Sequence, residues 1–205
     1  KTIRSYYGSK GYADARVRPE VTNAGPNRVN VVYRVTEGSF YKVGKVTIEG
    51  NNKTKGKVIR REIPLKPGDN FNTVDLDVTK RRLNNLNYFS RVNVSPSQSN
   101  QKGYRDIDVS VDEKKTGSLS FGLGFSSIDS VVGYVNLEQT NFDITNPMAF
   151  TGGGQRFGMN IRLGSERQDF KVSLVEPWFL GQRLSLGGEL YYKGSQFFSD
   201  EYDQV

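Results

Sequence analysis

Histidine and cysteine are both absent from the 205 residues, and tryptophan occurs once. Without imidazole or thiol there is no Ser-His-Asp or Cys-His pair, no zinc finger, no disulfide framework and no thiolate redox centre. An enzyme is not expected, and nothing in the chain asks for a cofactor or a metal. Long apolar runs are missing too. The chain has no run of the about 18 apolar residues that a membrane-spanning helix needs, and no basic-then-apolar signal segment opens it. Strands can still cross a bilayer when they close on one another. The hydrophobic content is 35%; counted with glycine and without tyrosine it is about 40%, a little below that of a globular chain, and glycine-rich extended structure can carry it.

What is present falls into two unlike parts. Residues 1–115 hold 23 Lys and Arg against 12 Asp and Glu, whereas residues 116–205 hold 6 against 10. The second part also has 13 of the 22 glycines and 14 of the 24 aromatic residues. A boundary is therefore expected near Glu113-Lys114-Lys115-Thr116-Gly117.

The basic part carries a weak internal repeat. Tyr12 in GYADARV matches Tyr88 in NYFSRVNV, Val35 matches Val111, and Glu37 matches Glu113, each pair 76 residues apart. Two copies of one domain-sized unit are expected, the first lacking its front. In the complete copy residues 40–50 read as a strand, and residues 53–63 as a short basic helix that must stop before Pro64. Residues 65–69 read as a turn. Asn72 with Asp75 three positions on marks a helix start, after which Leu76, Thr79, Leu83 and Leu86 form one helical face. Residues 91–95 and 104–113 read as strands, the latter alternating Ile107, Val109 and Val111 with polar neighbours.

From Gly117 the period becomes two. Leu119, Phe121, Leu123 and Phe125 alternate with Ser120, Gly122, Gly124 and Ser126. Similar runs carry Val135 and Leu137; Phe157, Met159, Ile161 and Leu163; Phe170, Val172 and Leu174; and Leu184, Leu186 and Leu190. Glu138, Arg162, Lys171 and Glu189 all fall on the polar parity, which decides the reading, since a charge on a lipid face costs about 2–4 kcal/mol at mid-bilayer. A soluble β-sandwich also alternates. Run lengths near those of membrane strands, small residues on the polar side, and aromatics expected at run ends (Phe142, Trp178, Phe179, Tyr191, Tyr192) favour five strands of a membrane barrel.

These residues carry a resemblance. GYADARV and LNNLNYFSRVNV resemble the second helix and following strand of a POTRA domain. TGSLSFGLGFSS, GYVNLEQTNF and VSLVEPWFLGQRLSLGGELYY resemble the first, second, and fourth and fifth barrel strands of the outer-membrane β-barrel assembly protein family (BamA and its relatives). The resemblance implies α+β POTRA domains of order β-α-α-β-β followed by an antiparallel transmembrane β-barrel. Residues 1–38 would be the end of one POTRA domain, 39–115 a complete one next to the barrel, and 116–205 the first five strands. Five strands do not close a barrel, so further sequence is expected at both ends. One departure is the turn at 143–155, longer than the family leads one to expect.

The family's activity, by resemblance, is folding and inserting β-barrel proteins into the outer membrane, with the POTRA part in the periplasm. Its partners would be unfolded outer-membrane clients, periplasmic or lipoprotein accessory subunits, and outer-membrane lipid. Export of a polypeptide, as by two-partner secretion transporters of the same superfamily, is the alternative. An exposed strand edge can template any client's backbone, and by resemblance this places client contacts on Arg91, Val92, Asn93, Val94 and Ser95, and on residues 17–21 of the truncated unit. The plainer alternative is that such strands simply complete small sheets, and Pro19 and Pro96 blunt both edges. A weakly paired seam would involve Leu119, Phe121, Gly122, Leu123, Gly124 and Phe125, the two glycines weakening the strand, although glycine is common in any barrel strand.

Other signals have plainer readings. Lys53, Lys55, Lys57, Arg60 and Arg61 read as a solvated face before a lipid-headgroup site, with nucleic acid last because no base-reading module accompanies them. Gly152-Gly153-Gly154 lacks the Lys-Ser/Thr of a phosphate loop and reads as a flexible turn. Asp106, Asp108 and Asp112, and Asp200, Glu201 and Asp203, lack calcium-loop spacing.

Overall fold

The computed structural model describes residues 2–127, 130–146 and 148–195, in two compact units that divide between Lys114 and Lys115. The first unit begins with helix α1 (Thr2–Ser9) and the hairpin β1 (Arg16–Gly25) and β2 (Arg28–Thr36). It continues with β3 (Lys42–Glu49), α2 (Gly56–Arg60), α3 (Thr73–Asn85), β4 (Phe89–Gln98) and β5 (Tyr104–Glu113), the β-α-α-β-β order. Strand β5 runs down the middle of a three-stranded sheet, parallel to β3 and antiparallel to β4.

That central place explains the strict alternation of β5. Ile107, Val109 and Val111 are buried under the helices, while the intervening Asp108, Ser110 and Asp112 are exposed. Helix α3 supplies the cover. Its N-cap Asn72 accepts from the Val74 and Asp75 amides, satisfying donors that a helix start leaves orphaned, and its Nδ2 donates to Asp75 Oδ2 at 2.7 Å. The stripe predicted from sequence points inward: Leu76, Thr79 and Leu83 are buried, with Leu86 packed against the core. Buried Thr79 is satisfied by donating to the Asp75 carbonyl at 2.7 Å. Val58 and Ile59 of α2 and Phe71 complete the core.

Helix α2 is shorter than the basic run suggested. It spans Gly56–Arg60, because residues 53 and 54 are held in a non-helical loop by Glu113, whose carboxylate accepts from the Lys53 amide at 2.9 Å and the Thr54 amide at 2.6 Å. Burial alone would raise the Glu113 pKa. The hydrogen bonds from Thr54 and Lys53, with the Lys53 charge, outweigh it and hold the carboxyl below its ordinary range. Strand β4 is longer than the expected 91–95, and a bulge displaces its register at Ser90.

The 76-residue interval is visible in the backbone. Gly11 and Asn87, one residue before Tyr12 and Tyr88, both have positive φ (103° and 60°) just after a helix. A side chain at Gly11 would also strike the Phe40 ring. The truncated repeat is tied to the complete one by Arg105, which donates to both carboxylate oxygens of Asp14 (3.2 and 3.0 Å) and stacks over Tyr41 at 4.6 Å, while the Tyr41 hydroxyl donates to Asp14 at 2.9 Å. Burial would lower the Arg105 pKa, but Asp14 and Tyr41 raise it above its ordinary value.

The second unit is an antiparallel meander of β6 (Gly117–Ser126), β7 (Ser130–Phe142), β8 (Gln155–Gly164), β9 (Arg167–Glu176) and β10 (Leu186–Ser195), each strand paired to the next. Register aligns the two parities into rungs. One face carries Leu119-Leu137-Met159-Val172-Leu190 and Phe121-Val135-Ile161-Phe170-Tyr192. The other carries Ser120-Asn136-Asn160-Lys171-Tyr191 and Gly122-Tyr134-Arg162-Asp169-Lys193. Polar groups on that second face meet one another: Asn160 donates to Asn136, and Lys171 pairs with Glu189 at 2.7 Å. Along the apolar face of the first strand side chains stand open, with Phe121 78% and Leu123 80% exposed.

Two expectations are corrected here. Tyr191 and Tyr192 sit inside β10 rather than at a run end, one on each face. The glycine-rich turn at 143–154 is packed rather than loose. The Gly152 amide donates to the Asn141 carbonyl (2.6 Å) and the Gly154 amide to Asn141 Oδ1 (2.8 Å). A Cβ at Gly153 would lie 2.7 Å from the Phe142 carbonyl oxygen. Phe142, Phe150 and Phe157 form an aromatic triad with centroids 5.0–5.7 Å apart.

Candidate functional site

Both segments singled out from sequence are edge strands. Among the described residues β4 is bonded to β5 on one side alone, and β6, the first strand of a sheet that does not close on itself here, is bonded to β7. An edge strand presents every second N–H and C=O to whatever arrives beside it. Such a row recognises extended backbone regardless of side chains, which is the chemistry a client of arbitrary sequence requires.

The five residues on β4 are not equivalent. Val92 is buried in the core and Val94 packs against it, so their side chains serve the fold. Arg91 and Asn93 point to solvent, with Arg91 Nε 3.6 Å from Asp112 across the ladder. Ser95 is half-buried, and Pro96, in register with Ile107, has no amide to offer, which shortens the usable edge. Residues 17–21 lie on β1, paired to β2, with Pro19 opposite Tyr33.

On β6 the register with β7 is unbroken from Gly117 to Ser126. Leu119, Phe121, Leu123 and Phe125 share the apolar face and are all exposed. Gly122 and Gly124 lie on the polar face and do different things. The Tyr134 ring of β7 lies across Gly122, so that a Cβ there would collide with the ring, whereas at Gly124 a Cβ would reach ordinary contact 3.4 Å from Val132. Gly122 is thus a seat for a tyrosine. Sequence reasoning missed this, although Tyr134 at the cross-strand position was the available signal.

The basic run does not form a common face. Arg60 turns back to donate to the Leu65 carbonyl at 2.9 Å, Arg61 lies near Glu62, and Lys53 is tied through its amide to Glu113. Asp106 accepts from the Lys45 amide at 2.7 Å, at the bulge that protects the β3 edge, and Asp112 faces Arg91. Among the described residues no group of three or more acidic side chains is placed to hold a metal ion. Asp200, Glu201 and Asp203 lie outside the described residues.

Comparison with known proteins agrees with this architecture. The POTRA family (surface antigen variable number repeat) matches residues 1–38 and 41–114, and the Omp85 superfamily domain matches residues 149–205. Over 91% of the chain there is 34% identity to a Treponema pallidum protein provisionally named an outer membrane protein assembly factor. Over 98% there is 27% identity to the outer membrane protein assembly factor BamA of Nitratidesulfovibrio vulgaris. The chain spans 22% and 24% of those two relatives. The crystal structure of BamA from Haemophilus ducreyi lacking POTRA domains 1–3 superposes with a TM-score of 0.78 at 27% identity, covering 94% of this chain and 35% of that one.

Proposed function

Since the chain belongs to the POTRA-bearing, BamA-like family of outer-membrane β-barrel assembly proteins, we propose that the protein of which it is part folds and inserts β-barrel clients into the outer membrane without itself catalysing a covalent reaction. The POTRA unit lies in the periplasm, and the meander belongs to the membrane. The supporting observation is that β4 stands at an edge of a complete three-stranded sheet, bonded to β5 alone among the described residues. An unfolded client must satisfy every peptide group before it enters hydrocarbon. The β4 edge gives it one template on the periplasmic side, and opening of the seam between β6 and the barrel's last strand would give it a second at the bilayer.

In this reading Arg91, Asn93 and Ser95 border the first docking edge, and Leu119 to Phe125 form one side of the seam. Accessory subunits of an assembly complex are partners by the same reasoning. The assembly names of the relatives favour this over polypeptide export. Two measurements test it. Depleting the protein from its cell should lower many unrelated outer-membrane barrels together; loss of a single secreted polypeptide instead would point to export. Photo-crosslinkers at Asn93 and Leu123 of the full-length protein should trap nascent barrels, and absence of client adducts at both would remove the edge mechanism.

A further inference from the structure

The turn at 143–154 has no part in the reading above. In register Gln139 pairs with Phe157, and Phe142 with Gln155, so all four stand on the parity of Met159 and Ile161, the apolar face. Phe150 packs on Phe142 and Phe157 and therefore lies on that face as well. The turn folds back over the outer surface of the sheet. Gln139 is 8% exposed on a face where Leu119 and Phe121 are open.

The segment 144–155, ITNPMAFTGGGQ, carries no charged residue, although a quarter of the chain is charged. Its apolar side chains are turned outward, with Met148 96% and Ile144 52% exposed. The β9–β10 connection, at the same end of the sheet, repeats the arrangement with Trp178 and with Leu180, which is 82% exposed. Phe150 and Leu180 both have φ in the left-handed region (56° and 54°), rare for large apolar residues. Hydrogen bonds hold both turns: Asp143 Oδ1 accepts from the Thr145 amide, Gln155 Oε1 from the Ile144 amide, and Glu176 Oε1 from the Trp178 amide. Gln155 links the two connections by donating to Glu176 at 3.0 Å. Apolar tips on a built rim, with the charges of Asp143 and Glu176 engaged by its hydrogen bonds and Arg183 stacked 5.4 Å over the Trp178 ring, match the boundary between headgroups and acyl chains, where amphipathic and aromatic side chains settle.

We propose that the turn at 143–154 is a membrane-interface anchor, which seats Ile144, Met148 and Phe150, with Leu180 beside them, in the headgroup region of the periplasmic leaflet. This rests on the barrel reading, because the leaflet is assigned from the end at which the chain enters β6. The anchor would fix the depth of the first strands in the bilayer, next to the seam edge.

The test uses the full-length protein in phosphatidylcholine and phosphatidylglycerol vesicles. An environment-sensitive fluorophore is placed on single cysteines at Met148, Ile161 and Asn160, in a background free of other cysteines. Lipids brominated near the carbonyl should quench the Met148 site about twofold more than the Asn160 site. Lipids brominated deep in the chain should quench the Ile161 site most. Quenching of Ile161 without Met148, with Met148 open to aqueous iodide, overturns the anchor and leaves the barrel intact. Protection of Met148 from both quenchers, with Ile161 still quenched by lipid, means that protein covers the turn and also overturns the anchor. If Ile161 is not reached by lipid quenchers, the barrel reading itself falls, and the anchor with it.

Discussion

Strands β5 and β6 follow one another in the chain, both alternate apolar and polar residues, and they meet opposite fates. Ile107, Val109 and Val111 are at most 2% exposed, whereas Leu119, Phe121, Leu123 and Phe125 are at least 64% exposed. Alternation states which side chains share a face and leaves open what covers that face. In the first unit two amphipathic helices follow β3 and close over the sheet. Among the described residues of the second, strand follows strand with one three-residue helical turn between, and the oily side stays exposed, as on the lipid side of a membrane barrel. Polar residues pair across strands in both units: Asp112 of β5 faces Arg91 of β4, and in the meander Asn160 donates to Asn136 and Lys171 pairs with Glu189.

The strongest way to break the contrast is to remove an element from the covered side. Leu83→Ala should cost about 2–5 kcal/mol, because the fully buried side chain leaves a cavity between α3 and the sheet. Hydrogen exchange should then speed up at β5 amides and stay unchanged in β8. The counterpart on the uncovered side is Ile161→Arg, which should cost about 2–4 kcal/mol in refolding of the full-length protein into vesicles, while Asn160→Arg, on the polar face, costs well under half as much. Equal effects would falsify the inside-outside assignment. Gly122→Ala is subtler. Tyr134 must swing off its seat, at about 1 kcal/mol, and the penalty should vanish in a Tyr134→Ala background if packing is the cause.

The smallest effect concerns pH. The Glu113 carboxyl is held below its ordinary pKa, so its contribution is complete at neutral pH and drains away as pH falls from the usual carboxylate range through the folded-state value. Glu113→Gln should flatten that part of the POTRA unit's acid stability profile, read by exchange at the Lys53 and Thr54 amides. The second unit should show no matching change.

Much of this was legible in the sequence because the signals were local and periodic. The Asn72 cap, the Leu76-Thr79-Leu83 stripe and the bounds of β5 follow from rules about neighbouring residues, and the structure places them as expected. What failed depended on distant partners. Residues 53 and 54 are kept out of α2 by a carboxylate some sixty positions away. The triple glycine looked loose because its anchors, Asn141 and the Phe142-Phe150-Phe157 triad, belong to a motif spread over two strands. The seat that Gly122 gives Tyr134 needs the β6–β7 register, which alternation does not fix by itself.

The kink shared by Gly11 and Asn87 bears on how such chains can be lengthened or trimmed. Because each helix exit passes through a positive φ one residue before its tyrosine, this joint is the natural place to cut and rejoin the two repeats. Chimaeras spliced at this joint should keep both halves native, whereas those spliced within β1 or β4 would have to rebuild a ladder.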